Sequence, residues 1–116
     1  MERLALVACL ISAAAPALAS DIAHLPGDTI TNQKGYNLQG NVVGNIMEIE
    51  KKLSPDCTKR RIVETKIIGE PFRINAGQVM KWDERWTIER CGKDVFYVIH
   101  FNFRRAQGTF NIEPPK

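Results

Sequence analysis

Met80-Lys81-Trp82-Asp83-Glu84-Arg85-Trp86-Thr87-Ile88-Glu89-Arg90-Cys91 is the stretch that decides the fold. Met80, Trp82, Glu84, Trp86 and Ile88 fall on alternate positions, with Lys81, Asp83, Arg85, Thr87 and Glu89 between them. Successive side chains of a strand point to opposite faces, so this segment predicts one buried face and one wet face. That is the signature of an antiparallel sheet covered on one side. Cys91-Gly92-Lys93-Asp94 reads as a tight turn, and Val95 to Phe103 is almost wholly apolar and aromatic. The two segments predict a β-hairpin whose second strand is central.

Working outward, Arg61 to Ile68 mixes β-branched residues with charges, and Gly69-Glu70-Pro71 is expected to break that strand. Gln107-Gly108 predicts another turn, Thr109 to Ile112 a short strand, and Pro114-Pro115 the end of order. Between Asn41 and Leu53 the apolar residues Val42, Ile46, Ile49 and Leu53 recur at helical spacing. Asn41 is the expected cap, Lys51 and Lys52 suit the negative end, and Ser54-Pro55-Asp56 is the stop. Gly44 weakens this helix, and Asn45 to Glu50 also alternates in part, so a strand is the competing reading. The expected architecture is α+β: one N-terminal helix packed on a four- or five-stranded antiparallel sheet.

The first residues read differently. Arg3 precedes an apolar run from Leu4 to Ala15, and Pro16-Ala17-Leu18-Ala19 offers small residues where signal peptidase needs them. The expectation is a signal peptide over 1–19 with cleavage after Ala19, or after Ser20 as the alternative. An irregular arm over 20–40 and a single small domain over 41–116 would follow. Leu6-Val7-Ala8-Cys9 also resembles a lipoprotein box, but Cys9 would leave an apolar segment shorter than the usual length of about 7–15 residues. The run is too short to span a bilayer, which takes about 20 residues, and the exported chain has no other.

Removing 1–19 takes away Glu2 and Arg3, so the net charge of +3 is unchanged. Only Cys57 and Cys91 remain. Export places them where disulfides persist, and their wide spacing suits neither a CxxC redox pair nor a zinc site. One disulfide, Cys57–Cys91, is expected, closing a loop of about 35 residues that stabilises a small fold by roughly 3–4 kcal/mol.

Trp86-Thr87-Ile88-Glu89-Arg90-Cys91-Gly92-Lys93, followed by Tyr97-Val98-Ile99 and a closing Gly-Thr-Phe, resembles small exported proteins of Gram-negative bacteria without an assigned activity. In these a W-x-V/I-x-x-C-G-K segment leads into a terminal hairpin. The resemblance covers about the last 60 residues and implies export and the turn; it transfers no functional residue.

The inventory argues against catalysis. Ser20 and Ser54 are the only serines past residue 19, and the histidines are His24, in the arm, and His100, inside an aromatic strand where a packed role is expected. A nucleophile needs a base within hydrogen-bond reach. No catalytic residue, metal site or cofactor is expected. Glu84, between Trp82 and Trp86, is the exception, because aromatic walls can turn a carboxyl into a general acid. A small hydrolase using Glu84 would need a second carboxylate, and the simpler expectation is a Glu at the sheet margin paired with an arginine such as Arg90. Trp86 is expected in the core, with Trp82 and Glu84 nearer the margin as a contact surface. Lys59-Arg60-Arg61 and Arg104-Arg105 form basic strand ends that could share one rim. The functional expectation is a non-catalytic, periplasmic or secreted protein with a protein partner in the cell envelope. A binder of anionic envelope polymer through the basic rims is the alternative, and nucleic acid is disfavoured by the mild charge.

Overall fold

The computed structural model describes residues 24–74, 77–103 and 108–115. The expected leader over 1–19, including Cys9, and the basic pair Arg104-Arg105 lie outside the described residues. A helix α1 (Gln39–Leu53) precedes four strands, β1 (Arg60–Ile74), β2 (Gln78–Arg90), β3 (Lys93–Asn102) and β4 (Thr109–Glu113). They form an antiparallel meander in the order β1-β2-β3-β4. The fold is α+β, and no described helix is long and apolar enough to cross a membrane.

The period of two in β2 sets the layers. Trp82, Trp86 and Ile88 are buried with Tyr97, Ile99 and Phe101 of β3, and Val42 and Ile46 of α1 pack into the same core. Trp86 faces Tyr97 and Trp82 faces Phe101 across the β2–β3 register. The turn between these strands is only Cys91-Gly92, with Arg90 paired to Lys93. Both turn residues have positive φ, 47° and 85°, as the two-residue turns that match strand twist require. Glycine accepts this without strain, and Cys91 is the one non-glycine among the described residues with a positive φ. Cys57 and Cys91 are bonded, with Cα atoms 6.0 Å apart, so the chain leaving α1 is tied to the β2–β3 turn.

Two boundaries and the packed helix face differ from expectation. The helix begins at Gln39, two residues before Asn41, and the cap position Leu38 makes no side-chain cap. Tertiary contact anchors this end: the buried Gln39 amide donates to Asn32 Oδ1 at 3.1 Å. The packed helix face runs through Val42, Ile46 and Glu50, while Leu53 is 51% exposed. Gly69-Glu70-Pro71 does not end β1 either. It forms a bulge between the pairs Ile68–Asp83 and Phe72–Lys81, where Gly69 adopts φ 73° and Pro71 is tolerated because β1 is an edge strand.

The described part of the expected arm is irregular apart from a single 3-10 turn, Ile30–Asn32, and it belongs to the core. Leu25, Ile30, Tyr36 and Leu38 are buried in the same cluster as the helix and sheet. Tyr36 meets Trp82 edge-on at 5.4 Å, and its hydroxyl both donates to Val79 O and accepts from Val79 N. Residues 26–28 also line the outer edge of β1, through Thr65 N to Pro26 O at 2.9 Å and Asp28 N to Thr65 O at 3.1 Å.

Candidate functional site

The Trp82-Glu84-Trp86 face is interior, which corrects the expectation of Trp82 and Glu84 at the margin. Trp82 is 2% exposed, and Glu84 and Trp86 are wholly buried. The reason is the cover supplied by residues 24–38, which the alternation within β2 cannot reveal. Among the described residues Glu84 pairs with no arginine. Its Oε1 accepts from the Trp86 indole N–H at 2.7 Å, and its Oε2 accepts from the Trp82 indole N–H at 2.7 Å and from Ile30 N at 2.9 Å. Every partner is a donor and none is reachable from solvent. A general acid must touch a substrate, and Glu84 is placed instead as a pin joining β2 to the 3-10 turn.

Arg90 goes to a residue the sequence reading passed over, Glu50 of α1. Arg60 and Arg90 stand directly opposite each other on β1 and β2, a like-charge pairing that costs stability unless neutralised. Glu50 supplies the neutralisation from the helix: Arg90 donates to both its oxygens at 2.8 and 2.7 Å, Arg60 Nε donates at 3.3 Å, and the Tyr97 hydroxyl donates at 2.6 Å. The Arg90 hydrogen bonds, foremost, hold the Glu50 carboxyl below its ordinary range against the opposing effect of burial. Burial and the bond to Glu50 raise the Tyr97 phenol. Arg60 also donates to the carbonyls of Glu50 and Ser54, which closes the helix end. A signal was present in the sequence, because Glu50 continues the spacing of Val42 and Ile46.

Of the basic residues singled out, Arg60 is therefore spent inside the fold. Arg61 is exposed and bonded to Glu89 at 2.9 Å, and Lys59 is exposed. With Thr58 and Gly92 they border an open recess of about 450 Å³ beside the disulfide. Asn102 and Thr109, the strand ends nearest Arg104-Arg105 in the chain, lie at the end of the sheet away from Arg60.

His100 is not packed among aromatics. Tyr97, Ile99 and Phe101 take the inner face of β3, and His100 falls on the outer face between two carboxylates. Nδ1 lies 2.7 Å from Asp83 Oδ1 and Nε2 lies 2.5 Å from Glu113 Oε2. Hydrogen bonds to Glu113 first and Asp83 second raise its pKa. The two carboxylates sit on opposite sides of the ring, so they do not converge on a point where a metal would sit, and no group of possible metal ligands is found among the described residues.

The larger recess lies at the open edge of β3. β4 pairs only with Val98 to Asn102, so among the described residues Lys93 to Tyr97 have no strand on that side. A groove of about 640 Å³ follows this edge, bordered by Leu53 at the helix end and by Pro114 and Pro115 beyond β4. Phe96 on its rim is 50% exposed, and the Arg85 guanidinium lies 5.4 Å from its ring centre. No protein-family model, curated protein or solved structure matches this chain.

Proposed function

We propose that this is an exported, non-catalytic interaction protein of the bacterial cell envelope, and that its partner is a protein. The observation that carries this reading is the contrast between its buried and exposed chemistry. Glu84 and Glu50, the carboxyls in aromatic or apolar surroundings, are consumed by fixed hydrogen bonds within the fold. What the surface offers instead is an open groove with exposed Leu53 and Phe96. The Cys57–Cys91 bond is compatible with an oxidising compartment, and the leader expected over 1–19 supports export to the periplasm.

A second reading rests on the recess beside Lys59 and Arg61, which would suit an anionic envelope polymer. Retention of the exported form on its own envelope fraction separates the two. Protein-mediated retention falls on Phe96→Ala and persists at high salt, because an apolar contact is not screened. Retention that collapses with salt and on substituting Lys59 and Arg61 supports the polymer. Turnover of esters, glycans or peptides by the isolated protein contradicts both.

A further inference from the structure

The open edge of β3 has a hydrogen-bonding pattern as well as a shape. Arg90 and Lys93 flank a two-residue turn, so they form a hydrogen-bonded pair, and the pairing alternates from there. Lys93, Val95 and Tyr97 direct their backbone groups to β2, opposite Arg90, Ile88 and Trp86. Asp94 and Phe96 direct theirs the other way. Among the described residues they have no neighbour on that side, because β4 ends at Glu113, opposite Val98, and the next two residues are prolines. Proline has no N–H to donate, so the chain's own continuation cannot complete the ladder.

From this the geometry points to strand addition: the β3 edge from Lys93 to Tyr97 binds an extended peptide segment of the partner protein, laid antiparallel to β3 in line with β4. The inference rests on the interaction reading above and names the partner's form. Backbone groups of Asp94 and Phe96 fix the segment, and exposed Phe96 and Leu53 contact its alternate side chains. The groove, at about 640 Å³, is of the size that holds a short ligand. Antiparallel docking brings the C-terminal end of the segment to Lys93, which makes no ion pair within the described structure, so an acidic residue is favoured there.

The other edge does not compete. β1 is covered at Thr65 and Ile67 by residues 26–28, and beyond Ile68 it is bulged and carries Pro71, devices that blunt an edge. A second copy of the chain is a poor occupant, because two free residues bordered by Pro114-Pro115 give far less contact than the roughly 1,000 Å² of a stable interface.

The test is selection of phage-displayed random heptapeptides on the intact exported protein, followed by NMR titration with the synthetic peptide recovered. Expected are peptides with alternating apolar residues and an acidic residue toward the C-terminus, which slow exchange of the Asp94 and Phe96 amides. N-methylation of the backbone at alternate positions should weaken binding at least tenfold, as should Phe96→Ala. Asp94→Pro, which removes an outward N–H only, should do the same in a protein that keeps its circular dichroism. Recovery of no peptide, indifference to N-methylation and to both variants, or concentration-dependent self-pairing at these amides overturns strand addition. Retention of an envelope protein that falls on Phe96→Ala but is unchanged by Asp94→Pro overturns it while leaving the interaction reading intact.

Discussion

Glu50 on the helix and Arg90 on β2 meet in a two-point contact, Nε to Oε1 at 2.8 Å and a terminal nitrogen to Oε2 at 2.7 Å, with the carboxylate fully buried. This pair joins the two layers. Removing one partner of a buried pair costs about 3–5 kcal/mol, because the other is left charged and unmatched. Glu50→Gln is therefore expected to lower the urea-unfolding free energy by about 3 kcal/mol, since it leaves Arg60 and Arg90 facing each other. Because the folded-state pKa of Glu50 is depressed below 4.5, its contribution is complete above that pH and is lost as pH falls through the folded value. The wild type should lose stability on acidification below pH 4.5 more steeply than the Glu50→Gln variant.

Glu84 makes a sharper case for burial without chemistry. Three N–H donors converge on its two oxygens, and a glutamine offers a single carbonyl oxygen. Glu84→Gln should leave one indole N–H facing an amide nitrogen and cost about 2–3 kcal/mol. In the wild type, acrylamide should quench both tryptophans far less than free tryptophan. A Trp82 that quenches like the free amino acid contradicts the interior placement.

His100 acts in the opposite pH direction. Its pKa is raised above 6.5 by Glu113 and Asp83, so the protonated ring stabilises the fold fully below pH 6.5, and that contribution is lost as pH rises through the folded value. The groups facing it are Asp83 on β2 and Glu113 on β4; Arg85 and Lys81 flank Asp83 on the same face. NMR titration of the His100 ring should give a value above 6.5, falling toward 6.5 in Glu113→Gln. Loosening of β4 amides at high pH should accompany the loss of the proton.

The Cys57–Cys91 bond spans 34 positions of sequence. Its reduction should cost roughly 3–4 kcal/mol, seen as a lower unfolding midpoint in denaturant with dithiothreitol. The oxidised exported form, which lacks Cys9, should be two mass units lighter than its reduced form and should show no thiol reactive to labelling under denaturing conditions.

The sheet was legible because alternation is a local signal. Trp82, Trp86 and Ile88 announce an inner face without reference to anything else, and Cys91-Gly92 marks a turn, although the next strand begins at Lys93, two residues before the expected Val95. Glu84's burial was not legible, since its third partner, Ile30, arrives from more than fifty positions away, through a segment whose Gly, Asn and Thr content reads as a loop. The same blindness explains Leu53 and Glu50: helical spacing fits both, and only Arg60 and Arg90 on the facing strands decide that the acid goes inside. The expectation for His100 failed for a different reason. An apolar run hides its own alternation, so a polar residue on the outer face passes for one in the core. The groove depends on β4 stopping at Glu113, which Pro114-Pro115 foreshadows, and on its register against β3, which no local pattern sets.

The open β3 edge follows from that stop, and backbone hydrogen exchange of the free protein reads it directly. The amides of Val95 and Tyr97, bonded to β2, and of His100, bonded to β4, should be strongly protected, while those of Asp94 and Phe96 should exchange at nearly the rate of an unstructured chain. Protection at Asp94 and Phe96 equal to that of their neighbours would mean that the β3 edge is already closed, and would contradict the account.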